Sequence, residues 1–193
     1  MSSLAEKKRN GALRNSARFA VLVAVYLIVA IPFKVMEIIP GFTDIRPVSM
    51  LMPVYGVFFG IPGCIAYAVG NLITDIVSGS LRWSSIAGFA ANFIGPLVYY
   101  LFWIRLSKQE FHLREGKNLL KHTAVIIVDA LLVAGIITPF VALSYPEVNT
   151  TLFFVMVLIN SSAFPFFIGI PLIIMMQDEL RFTPLKSQKH QTS

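Results

Sequence analysis

Asn71, Asp75, Asn92 and Asn160 stand inside otherwise apolar stretches, where a polar side chain is costly in lipid and therefore informative. Asn71 and Asp75 are four residues apart, so a helix through them presents both on one face. Amide and carboxylate groups of this kind make hydrogen bonds to a ligand rich in amides or ring nitrogens. Arg46 and Arg82 lie in the neighbouring polar segments, where they could neutralise an acidic ligand group or Asp75 itself. Tyr55, Trp83 and Phe89, with Phe42, are the aromatic residues placed to stack on a flat ring. Plainer uses exist for each. An asparagine bridges two helices, and Asp75 pairs with Arg82. The shared depth of the polar set in three segments favours a pocket open to solvent.

Asp129 is different. It enters its apolar stretch from the opposite end, with no acidic neighbour, and a hydrogen-bonded or salt-bridged packing role is its simplest reading. Catalytic patterns are missing. His112, His122 and His190 have no metal-ligand spacing to Cys64 or to acidic residues. The sequence holds no G-x-S-x-G and no phosphate-binding glycine loop, so no catalytic residue, metal or cofactor is expected in this chain.

The elements that carry these residues are membrane spans. Of 193 residues, 56% are hydrophobic and only 13% charged, about half the charge fraction of a soluble domain. Mean hydropathy is +0.73. A chain this short cannot bury so much apolar side chain in one core, so the bilayer must be its solvent. A single cysteine excludes an internal disulfide.

Residues 1–16 form a basic tail, 17–176 a membrane domain and 177–193 a second tail. The first apolar run, from Ala17 to Met36, is about a full span and reads as retained rather than as a cleaved signal. Residues 48–77 are too many for one span and too few for two ordinary ones, with Gly60-Ile61-Pro62-Gly63 as a helix breaker near the middle. Runs 84–106, 123–143 and 151–176 complete the set. If the middle tract is two short helices, all but three of the 16 basic residues fall on one side, leaving Lys34, Arg46 and Arg82 on the other. The positive-inside rule then gives six spans with both termini cytoplasmic. The net charge of +6 is thus a topology signal, and no nucleic-acid partner is expected. The second helix, being short, should be tilted or shielded by its neighbours.

Ala17, Ala20 and Ala24 make a small-residue strip on the first span, where another backbone can approach closely. Internal packing is its commoner use; docking of another polypeptide is the sharper one. Gly56-x3-Gly60 and Ala87-Gly88-x-Ala90-Ala91 read as core packing.

With these features the chain resembles the substrate-binding S components of energy-coupling factor (ECF) transporters, which are a type of ABC transporter. The resemblance lies in the size, the six-span all-α pattern, the Ala20-x3-Ala24 strip, the segment from Ile45 to Gly60 and the following Gly70-Asn71-Leu72-Ile73-Thr74-Asp75. It implies tight binding of a vitamin-like micronutrient from outside, under a lid made by the 37–47 and 78–83 loops. It implies docking through Ala17, Ala20 and Ala24 to a membrane scaffold protein that carries two ATPases, so ATP hydrolysis belongs to the partners. It also implies a bacterial plasma membrane. Cobalamin or a related corrinoid is the favoured ligand, a queuosine precursor the next. A stand-alone secondary carrier or small channel, coupled through Asp129 or Asp75, is the rival class.

Overall fold

The computed structural model describes residues 2–34, 37–39, 43–107 and 110–185. Phe42, Lys108, Lys186, Lys189 and His190 lie outside them. Among the described residues the chain is almost entirely helical. α1 runs Ser2–Lys34, so the basic tail continues the first helix. A short antiparallel ribbon, β1 (Glu37–Ile39) with β2 (Thr43–Asp44), stands where the sequence suggested only a loop. α2 (47–59) comprises a tight turn Pro47–Leu51, a single α turn Met52–Val54 and a widened turn Tyr55–Phe59. α3 is Gly60–Val77, α4 Ser84–Leu106, α5 Gly116–Ser144 and α6 Thr150–Asp178. Widened turns at Leu101–Leu106 in α4 and Pro165–Gly169 in α6 follow or contain prolines, which withhold an amide from the regular ladder. Asn149 caps α6 by accepting from the Leu152 amide at 3.0 Å.

By length and apolarity, five helical tracts can cross a membrane: α1, the 47–77 tract, α4, α5 and α6. The 47–77 tract is not straight. Gly60 sits at φ +59°, ψ −141°, a backbone region that glycine alone visits cheaply. Across that residue the rings of Tyr55 and Tyr67 lie 5.5 Å apart, and the Tyr67 hydroxyl donates to the Val48 carbonyl at 3.2 Å. In a straight helix residues 55 and 67 would be about 18 Å apart. α2 and α3 are therefore the two arms of a hairpin. Gly63 permits it, because a methyl there would overlap the Tyr55 carbonyl oxygen.

The hairpin is the centre of the molecule. Of its most apolar window 72% is buried, against 11% for α1. α2 is shielded through Val48, Leu51, Met52, Val54, Tyr55, Val57 and Phe58, as its shortness requires. Gly56 packs against the Pro96 carbonyl of α4, and Gly70 against the ring of Tyr26. So Gly56 is a packing glycine as expected, whereas Gly60 is the turn. Ala87 and Ala91 pack in the core, but Gly88 between them faces a cavity. α1 docks on α3 through Leu22, Tyr26 and Ala30.

Candidate functional site

The helices leave a cavity of about 120 Å³ at the end of the bundle where α1, α3 and α5 finish. Four elements line it with residues at helical spacing. α3 contributes Tyr67, Asn71 and Asp75; α4 Ser85, Gly88 and Asn92; α5 Val133, Ile137 and Val141; α6 Phe153, Val157, Asn160 and Ser161. Residues four apart share a face, so each set is one stripe of its helix. Val48, Ser49 and Met52 of α2 close one side, and Lys34, Arg46, Arg82 and Tyr145 surround the mouth. The basic segment Arg105–Lys121 connects helices at the other end of the bundle.

Polar groups in the cavity are held firmly. Asn71 is 2% exposed; its Oδ1 accepts from the Tyr26 hydroxyl at 3.3 Å and from Arg46 Nη2 at 3.5 Å. Its Nδ2 takes no protein acceptor among the described residues and stands beside Gly88. Asn92 donates from Nδ2 to the Gly88 carbonyl at 2.7 Å, which leaves its Oδ1 for the cavity. Asn160 has a fastening role: its Oδ1 accepts from the Arg46 amide at 3.2 Å and its carbonyl from the Ser49 hydroxyl at 2.7 Å. These bonds pin the start of α2 to α6.

Asp75 pairs with Lys34 at 3.0 Å, not with Arg82. Arg82 donates to the Tyr145 hydroxyl at 3.0 Å and lies 5.3 Å from the centre of that ring. That hydroxyl favours the charged guanidinium and raises its pKa.

Of the residues singled out from sequence, the cavity brings together Arg46, Asn71, Asp75, Arg82, Asn92 and Asn160. It leaves out the three aromatics. Tyr55 lies a turn deeper, with its hydroxyl on the Leu22 carbonyl at 2.6 Å and its ring against Tyr67 and Phe59. Trp83 is 83% exposed, on the side of α4 opposite Ser85 and Asn92. An exposed tryptophan at a helix end suits a membrane interface. Phe89 is half-buried and outside the lining. The aromatic walls are instead Tyr67, Tyr145 and Phe153. Tyr67 was findable, being four residues before Asn71; Lys34 needed the fold-back of α1 on α3.

Ala17, Ala20 and Ala24 are exposed. At about 100° per residue they fall roughly opposite the Leu22–Tyr26–Ala30 stripe that packs on α3. Among the described residues the strip is not used for packing within the chain.

A mainly helical chain with several helices long and apolar enough to cross a bilayer has the make-up of a multi-pass membrane protein. It belongs to the QueT transporter family, whose model matches residues 16–178, nearly the whole bundle. That family consists of S components of ECF type, in agreement with the resemblance seen in the sequence. Neither the curated proteins nor the solved structures contain a match to this chain.

Proposed function

We propose that the chain captures a queuosine precursor, a small 7-deazaguanine-type heterocycle, from outside the cell and delivers it inward with an ECF module. The observation that carries this reading is the cavity itself, in a chain of the QueT family: about 120 Å³, lined by both Asn71 and Asn92. An apolar cavity of about 150 Å³ holds one benzene, so a cavity of this order suits a small ring system. A corrin is many times larger than such a ring. Family and size both favour the small heterocycle over the corrinoid that sequence resemblance put first.

In this reading Asn71 and Asn92 meet the ligand's ring nitrogens and carbonyl, while Val133, Ile137 and Phe153 bury its faces. Arg46 and Arg82 belong to the lid. The hairpin at Gly60 makes six crossings of five long tracts, with both termini on the cytoplasmic side and the cavity outside. The exposed Ala17, Ala20 and Ala24 receive the scaffold protein, whose close approach needs small side chains. The two ATPases act through that scaffold.

Purification of the chain alone, followed by extraction of whatever remains bound, tests the reading. The expected extract is colourless, absorbs in the near ultraviolet and contains a deazaguanine. A coloured corrinoid, or no ligand after addition of 7-deazaguanine, would overturn it.

A further inference from the structure

Beneath Met52 the cavity has a floor of another kind. Along α5 the lining residues Val141, Ile137 and Val133 are spaced by four, and the next position inward on that face is Asp129, about 6 Å deeper. Along α4 the lining residues Gly88 and Asn92 are followed on the same face by Gly95 and Tyr99. A methyl group on Gly95 would stand 3.0 Å from Met52 Sδ and 3.3 Å from Asp129 Oδ1. Thioether, glycine and carboxylate therefore meet at one point.

Asp129 is 0% exposed, and neither of its oxygens has a hydrogen-bond partner. No cation is paired with it among the described residues. The Tyr99 hydroxyl, equally buried, interacts with the carboxylate. Buried groups of this sort are normally satisfied, and a carboxylate with only a tyrosine hydroxyl beside it is costly to fold around. A role in packing alone gives no return for that cost. Once ionised, two carboxylate oxygens side by side accept only, and their natural complement is a pair of parallel N–H donors on one edge of a ring.

We infer that Asp129 is the floor of the binding site, uncovered when the ligand moves the Met52 side chain, and that it selects ligands carrying two adjacent N–H donors. A 2-aminopyrimidin-4-one edge is such a pair. Methionine suits the cover because it is unbranched and turns readily, and glycine at 95 leaves the passage open. The inference rests on the reading of the chain as a binder of a deazaguanine-type ring. It adds the residue that chooses the edge.

The test compares two probes on the purified full chain, 7-deazaguanine and 7-deazahypoxanthine, which lacks the 2-amino donor. Wild type should prefer the first by at least about tenfold, as a site built for a donor rejects the analogue without it. Asp129→Asn keeps shape and one acceptor but sets an N–H against the ligand's own donor. It should bring the two affinities within about threefold of each other by weakening 7-deazaguanine. Gly95→Ala leaves the carboxylate in place and wedges a methyl between it and Met52; it should narrow the preference in the same way, and it carries the test if the Asn variant does not fold. A folded variant that retains the wild-type preference overturns the inference while leaving deazaguanine capture intact. Wild type that binds both probes equally also overturns it. Wild type that binds neither removes the functional reading and this inference together.

Discussion

Asn92→Leu separates binding from folding more cleanly than any other change in the cavity. Asn92 is 3% exposed, and its only side-chain hydrogen bond among the described residues runs to the Gly88 carbonyl four residues earlier in its own helix, at 2.7 Å. That carbonyl also accepts in the regular helix ladder, so removing the side chain orphans no buried group. Leucine has a comparable size and a higher helix propensity, and the cost to stability should be under about 1 kcal/mol. Binding is another matter. The lost Oδ1 is the acceptor that faces the cavity, and a ligand donor left without it forfeits about 1–3 kcal/mol. At about 1.4 kcal/mol per tenfold, affinity for 7-deazaguanine falls by roughly 5-fold to 150-fold. Calorimetric titration of wild type and variant, with thermal melts alongside, reads both quantities. Unchanged affinity with an unchanged melt would show that Asn92 serves only its own helix, and would refute the placement of the ligand between Asn71 and Asn92.

Other consequences are open to equally direct measurement. Lys34→Met, Asp75→Asn and the double variant should reveal a coupling energy of about 1–3 kcal/mol in a melt-based cycle, since the pair is largely buried; strict additivity would deny the pairing. Gly60→Ala should cost about 1–3 kcal/mol, because Cβ is unfavourable at φ +59° and would press on Tyr100 and Leu185; an unaltered melt would argue against the hairpin turn. Leucine at Ala20 or Ala24 should spare ligand binding by the isolated chain and abolish uptake with the ECF module, and loss of both would return the strip to internal packing. Single cysteines replacing Ser78 and Lys117, in a Cys64→Ser background, should be labelled in intact cells at 78 only; labelling at 117 from outside would reverse the topology.

Much of the site was legible because the bilayer makes polar residues conspicuous. Asn71, Asp75, Asn92 and Asn160 stood out against apolar neighbours, and all four line one cavity. The break at Gly60 was legible in the same way, from a Gly-Ile-Pro-Gly cluster in a tract of awkward length. Pairings across helices were not. Asp75 found Lys34 because α1 lies against α3, and nothing in the spacing of residues 34 and 75 announces that contact. Of the aromatics, Trp83 stands outside the cavity lining for a rotational reason. Trp83 is close to the mouth in sequence, yet two residues before Ser85 means a turn of about 200° to the far side of the helix. Asp129 was seen and given a packing role, but spacing alone did not announce Tyr99 of α4 as the group beside it.

This chain alone, without scaffold or ATPases, is expected to hold one small deazaguanine-type ligand in the cavity lined by Asn71, Asn92 and Asn160. Equilibrium titration of the purified, ligand-stripped chain with 7-deazaguanine and, separately, with cobalamin addresses it most directly. Saturable binding of the deazaguanine, one per chain, and none of cobalamin is the expected result. Binding of cobalamin, or of neither compound, would contradict it.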